Sequence, residues 1–174
     1  MHFSLREIKE EDFDSIADYW LLSDTEFMKG MGVDVSKIPA RETWHEMLQQ
    51  QVEQAYDQKQ SFCLIWLLNG TPVGHSNVNK IIFEKEAFMH LHLWNGINRQ
   101  HGYGTAFVKL CLPVFFQHMQ LQNIYSEPAA FNPGPNKTLE KAGFEFLRKY
   151  TCTPGWINTE QEVNLWKISK ENLS

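Results

Sequence analysis

The sequence predicts one α/β domain, an α+β arrangement built on a mixed sheet, with elements in the order β-α-α-β-β-β-α-β-α-β-β. Three observations carry that expectation. Segments with apolar residues at every second position alternate with segments at helical spacing. A turn signal, Asn69-Gly70-Thr71-Pro72, joins two strand-like runs. A glycine-bearing stretch, Arg99-Gln100-His101-Gly102-Tyr103-Gly104-Thr105, separates an apolar strand-like run from a helix-like one. No repeat, low-complexity tract or linker divides the 174 residues, and a hydrophobic content of 43% can fill a core, so residues 1–174 read as a single domain.

In chain order, Phe3 to Ile8 alternates as a strand, and Glu11 to Leu22 places Phe13, Ile16, Ala17 and Trp20 at helical spacing behind an acidic start that suits the helix dipole. Ser23 to Ala40 holds Gly30, Gly32 and Pro39 among Met28, Met31 and Val33; it is too irregular for one element and reads as a substrate-facing loop. Arg41 to Gln58 is a second helix with Trp44, Met47, Leu48 and Val52 on one face. Ser61 to Leu68 and Val73 to Ile82 form an antiparallel hairpin, which Ala87 to Trp94 extends to a meander. Tyr103 to Gln120 is a helix with an expected kink at Pro113. Asn123 to Pro128 is a short strand, and Asn132 to Gly143 a helix with prolines at its start and glycine at its end. Phe144 to Thr153 and Val163 to Ser169 close the sheet.

Composition narrows the function classes. A formal net charge of -5 without any Lys/Arg block argues against nucleic acid and suits a cationic substrate. Cys63, Cys111 and Cys152 form no CxxC pair and read as reduced thiols of a cytoplasmic protein. The longest apolar run, Phe62 to Leu68, is too short to span a bilayer, so no membrane partner is expected.

The glycine stretch is the most informative local feature. Gly102 and Gly104 reach dihedrals closed to other residues and carry no Cβ to hold an anion away, so successive N–H groups can converge on a phosphate at a helix start. GxGxxG fails because Phe107 stands where its third glycine belongs, and GxxxxGK[ST] is absent. Taken alone, the stretch is equally a tight turn into a helix.

Two motifs together resemble the GNAT superfamily of acetyl-CoA-dependent N-acetyltransferases. Arg99-x-x-Gly102-x-Gly104 is similar to its [RQ]xxGx[GA] loop, and Asn132-x-x-Pro135-x-x-x-Leu139-Glu140-Lys141-Ala142-Gly143-Phe144 to its NxxSxxxLEKxGF segment. With Leu5-Arg6 and Glu11-Asp12 near the start, the likeness runs over nearly the whole chain and looks nearest to the ribosomal-protein N-terminal and small-amine branch. The resemblance implies acetyl-CoA as co-substrate, and an amine acceptor that is a small molecule or a protein N-terminus. It implies pyrophosphate held by Arg99, Gln100, His101, Gly102, Tyr103, Gly104 and Thr105, and a pantetheine arm along Leu93 and Trp94, with Asn132 and Asn136 beside it. A non-catalytic acyl-CoA sensor is the rival, because Leu139 and Pro135 occupy positions where many members carry tyrosine and serine.

Acetyl transfer needs a neutral amine, and an amine titrating near 10.4 is neutral in only about one molecule per thousand at pH 7, so a base or water chain helps. Phe88, His90, His92 and Trp94 share one strand face, which makes His90 and His92 the first candidates for base, with Glu127 the next. Either histidine is equally a hydrogen-bonded wall residue, and Glu127 equally a surface carboxylate. His75, His90 and His92 have only a generic metal spacing, so no metal is expected. The thiolate's acid stays open among Asn136, Tyr125, Ser126, Tyr150 and water. Asp24, Glu26 and Asp34, with Trp20 and Trp44, are expected to build an acidic, aromatic amine cleft, while Trp66 is expected in the core. Trp156 and Trp166 offer an edge for a homodimer.

Overall fold

A computed structural model describes residues 1–99 and 101–173. Its seven strands are β1 (Phe3–Glu7), β2 (Ser61–Leu68), β3 (Thr71–Ile82), β4 (Glu86–Leu93), β5 (Asn123–Ser126), β6 (Glu145–Cys152) and β7 (Gln161–Ser169). They form one sheet in the order β1-β2-β3-β4-β5-β7-β6, antiparallel except for β4 and β5. Asn69 and Gly70 both take positive φ, which matches the right-handed twist of the β2–β3 hairpin.

Both faces of the sheet are covered, and β2 shows how the sequence arranges it. Phe62, Leu64 and Trp66 point into a core beneath α4 (Tyr103–His118) and α5 (Pro133–Ala142). Cys63 and Ile65 point into a second core beneath α1 (Phe13–Leu22) and α3 (Arg41–Glu53). Trp66 is fully buried, as expected; its ring stacks on Phe107 at 4.9 Å and its Nε1 donates to Cys111 Sγ at 3.2 Å. The Leu5-Arg6 and Glu11-Asp12 pairs meet as a clamp: the Arg6 guanidinium grips the buried Asp12 carboxylate at 2.6 and 2.9 Å, tying β1 to the start of α1.

Two elements differ from the sequence expectation, and a third continues as expected. The segment read as an irregular loop contains α2 (Thr25–Gly30), started by Asp24, whose carboxylate accepts from the amides of Glu26 and Phe27. The expected helix to Gln58 stops at Glu53, because the buried Lys59 ammonium takes the Gln51 carbonyl that the next turn would have used. Pro113 does not end α4: it and Lys109 are exposed, so the carbonyl left without an N–H faces solvent and the helix runs on to His118.

The feature that positions the site is a parting of strands. β4 pairs with β5 only over Glu86–Phe88 and Asn123–Tyr125. The last stitch is the Ser126 hydroxyl, which donates to the Met89 carbonyl at 2.8 Å. Glu127 and Pro128 follow, and proline has no N–H to continue a ladder. Beyond Met89, β4 pairs only with β3.

Trp66→Ala should cost about 3–5 kcal/mol of unfolding free energy, the range for deleting a large buried aromatic. Urea denaturation monitored by circular dichroism tests this; a loss under 1 kcal/mol would mean that the two cores do not depend on this stack.

Candidate functional site

A cavity of about 480 Å³ lies where β4 leaves β5. Its floor is the β3–β4 face that carries His75, Asn77, His90 and His92, and its walls come from α1, α3, the segment after β5 and the β6–β7 loop. Register places His75 opposite His92 and Asn77 opposite His90.

The histidines are held by neutral partners. His92 Nδ1 lies 3.0 Å from the Tyr19 hydroxyl, and its ring stacks on His75 at 4.7 Å. The Trp94 indole N–H donates to His75 Nδ1 at 2.7 Å, so the His75 proton sits on Nε2. His90 Nε2 lies 3.0 Å from Asn79 Oδ1. Burial, with mutual repulsion between the rings, lowers His75 to about 3 and holds His92 well below its ordinary range. Burial and then the nearby Lys80 charge lower His90 to about 4. At neutral pH all three are uncharged.

Glu127 stands at the opposite lip. Its side chain is 8% exposed, accepts from the Tyr150 hydroxyl and lies 3.8 Å from Lys80 Nζ. Among the described residues it is the one Asp or Glu on the cavity wall. Asp24 and Asp34 instead cap helical turns, Glu26 pairs with Lys29 at 3.3 Å, and none of the three borders the cavity. The acidic half of the expected amine cleft is therefore absent, while Trp20 and Trp44 line it, stacked 5.5 Å apart.

Behind β4 the chain turns through Gly96–Asn98 and enters α4 at Gly102, whose φ of 76° is left-handed. The amides of Tyr103, Gly104 and Thr105 open the helix, and among the described residues no side-chain capping bond to them is present. Gly104 lies where a Cβ would sit 3.4 Å from Thr138 Oγ1, so the helix start is packed closely on α5. Tyr103 packs edge-on against Phe3, and His101 is exposed. The Arg99 guanidinium folds back to donate to the Leu93 carbonyl at 3.0 and 3.3 Å and lies 3.7 Å over the Phe27 ring. The Trp94 amide donates to Val73, on the β3 side of the strand. Gln100 lies outside the described residues.

Asn132 and Asn136 differ sharply. Asn132 is the first residue of the α5 start but makes no capping bond, and it lies on the cavity wall. Asn136 donates to the carbonyls of Ala129 and Asn132 and accepts from Asn164 and the Trp166 indole. Both its donors and both its acceptor positions are used inside the protein. Trp166 is buried against Phe146, whereas Trp156 is exposed at the cavity rim. Tyr19, Asn79 and Gln51 also shape this site, and no spacing in the sequence marks them, because their partners lie on other elements.

A sheet edge opened beside a helix start can take an extended arm along the edge and a phosphate at the helix start. Residues 2–145 match the family described as acetyltransferase (GNAT) domain, and the chain belongs to that family. It is thus an acetyl-CoA-dependent N-acyltransferase. No curated protein matches the sequence. Solved structures share the fold. One is an aminoglycoside acetyltransferase AAC(6')-Ib with paromomycin and acetyl-CoA (17% identity, TM-score 0.75, 99% of this chain and 96% of that one). Another is a spermidine N-acetyltransferase from Vibrio cholerae with CoA and spermine (14%, 0.79, 98% and 97%). A third is RimL, a ribosomal L7/L12 α-N-protein acetyltransferase, with CoA (12%, 0.78, 96% and 93%). Among the described residues no helix is long and apolar enough to cross a membrane, and no group of three His, Cys, Asp or Glu is placed to hold a metal.

The low histidine values carry a stability consequence. The unfolded chain binds protons at these positions below 6.5, whereas folded His90 resists them down to about 4, so unfolding free energy rises with pH across that window and is flat above it. The melting temperature should fall as pH drops from 6.5 toward 4, and His90→Gln should flatten that slope. An unchanged slope in differential scanning calorimetry would overturn the account of a neutral, buried His90.

Proposed function

We propose that the protein acetylates a primary amine by direct attack on acetyl-CoA in a ternary complex. The observation that carries this reading is the free edge of β4. Along an extended strand the N–H and C=O of alternate residues point to opposite edges. The Trp94 amide goes to β3 and the Met89 carbonyl to β5, so the Leu91 amide and carbonyl and the Leu93 amide face the parting. An extended pantetheine arm adds there as a strand would, and the α4 amides from Tyr103 to Thr105 receive the pyrophosphate. Gly102 brings the chain to that point without a Cβ, Arg99 fixes the loop to the end of β4, and the Asn132 amide lies beside the arm.

The acceptor enters from the cavity side. Its nitrogen attacks the thioester carbonyl carbon, the new N–C adduct loses an N–H proton to water, and the C–S bond breaks as the tetrahedral oxyanion collapses and the thiolate departs. Of the three candidate bases, the histidines bind protons too weakly to draw one from an ammonium, and in this reading they serve as neutral walls. Glu127 holds the ammonium by charge, with Tyr150 fixing the carboxylate, and the ammonium gives its proton to water as the free amine forms. Buried Leu139 and Pro135 cannot protonate the thiolate, but with a conjugate acid near 8.5 it can leave unaided. The same two residues favour the acyl-CoA sensor as the second reading.

Two measurements test the proposal. Gly102→Val, which forces a β-branched residue to positive φ, should weaken acetyl-CoA binding at least tenfold by calorimetry. Glu127→Gln should lower kcat for thiol release at least tenfold while leaving the acetyl-CoA Kd unchanged. Wild-type binding that is stoichiometric, with no thiol release over a panel of amines, would establish the sensor instead.

A further inference from the structure

The composition of the cavity wall discriminates among amines. Trp20 and Trp44 stack with an interplanar angle of 8°, and Trp156 leans on Trp44 at 6.1 Å, so three indoles form one continuous apolar wall. Met31, Met47 and Ile157 extend it. Against that wall the described residues place a single carboxylate, Glu127, already shared with Tyr150 and near Lys80. A polyamine or aminoglycoside carries several ammonium groups, and each beyond the first would lose water there without a counter-charge.

The cavity also holds unmet polar demand. The Trp44 indole N–H and the Gln51 and Gln161 side-chain oxygens are buried without hydrogen-bond partners. They belong to three residues that are each 8% exposed, and all three line the cavity. A ligand that brings one acceptor and one or two donors within an apolar body would satisfy them. The walls set the size. The Gly32 carbonyl accepts from the Thr159 amide and from the Asn158 and Gln161 side chains, and Val33 bridges to Asn158, so the loop after α2 and the β6–β7 loop are joined along one side. The volume of about 480 Å³ falls in the range of small-molecule sites.

We infer that the acceptor is a small monoamine with an aromatic body, of the arylethylamine or aromatic amino-acid-amide class, and not a polycation; this rests on the acetyl-transfer reading above. The ammonium meets Glu127, the ring lies against the indole wall, and the polar substituent reaches Trp44 and Gln51.

The test is a kcat/KM comparison over tryptamine, tryptophan amide, spermidine, kanamycin and a short peptide with a free N-terminus, alongside calorimetric acetyl-CoA binding. An aromatic monoamine should exceed spermidine, kanamycin and the peptide at least tenfold. Trp44→Phe should raise its KM several-fold with acetyl-CoA affinity unchanged. Met47→Glu, at a half-exposed wall position that tolerates charge, should narrow the gap to spermidine. Preference for a polycation or the peptide, or turnover of one of these with none of either aromatic amine, would overturn the substrate class. Failure to bind acetyl-CoA, or binding without turnover of any amine in the set, would instead overturn the reading beneath it.

Discussion

The site exists because two parallel strands agree for three residues and then separate. Parallel pairing of β4 and β5 ends at Phe88 and Tyr125, and the Ser126–Met89 stitch closes the contact with a side chain where a backbone bond would otherwise follow. Pro128 then removes a donor from the departing chain. The cost of an opened sheet is a set of backbone groups on β4 without strand partners, and such groups are satisfied by a ligand more readily than by rearrangement. The glycine-led start of α4, the histidine floor and the cavity all take their places from that opening.

Charge is then rationed around it. The floor histidines are buried and uncharged, the loop acids turn away to cap helices, and Arg99 is spent on a carbonyl and a phenyl ring. Glu127 is left as the electrostatic landmark of the acceptor side. Its charge is shared with the Tyr150 hydroxyl and the nearby Lys80 ammonium, so it acts on a ligand at close range.

Much of the architecture was legible because it depends on local periodicity. The β2–β3 hairpin follows from Asn69-Gly70 between two strand-like runs. α2 was hidden because its short helix rests on one capping aspartate and tertiary contacts of Met28 more than on a periodic stretch. The end of α3 was hidden because Lys59 acts from beyond it in the chain. At the site, spacing put His90 and His92 on one face, which the fold repeats. It could not reveal that Tyr19, Asn79 and Trp94 would hold these and His75 as neutral groups, nor that all four hydrogen-bonding positions of Asn136 would be used internally. Those outcomes depend on partners brought together by the sheet.

The Gly32 carbonyl has an implication for redesign. Its three acceptances couple two segments more than a hundred residues apart in the chain, and Gly32 itself has φ of 75° with the Gln161 amide pressed against it. Grafting either segment from a homologue alone would orphan that oxygen and crowd the glutamine. New acceptor preferences are therefore best sought by exchanging both segments as a matched pair.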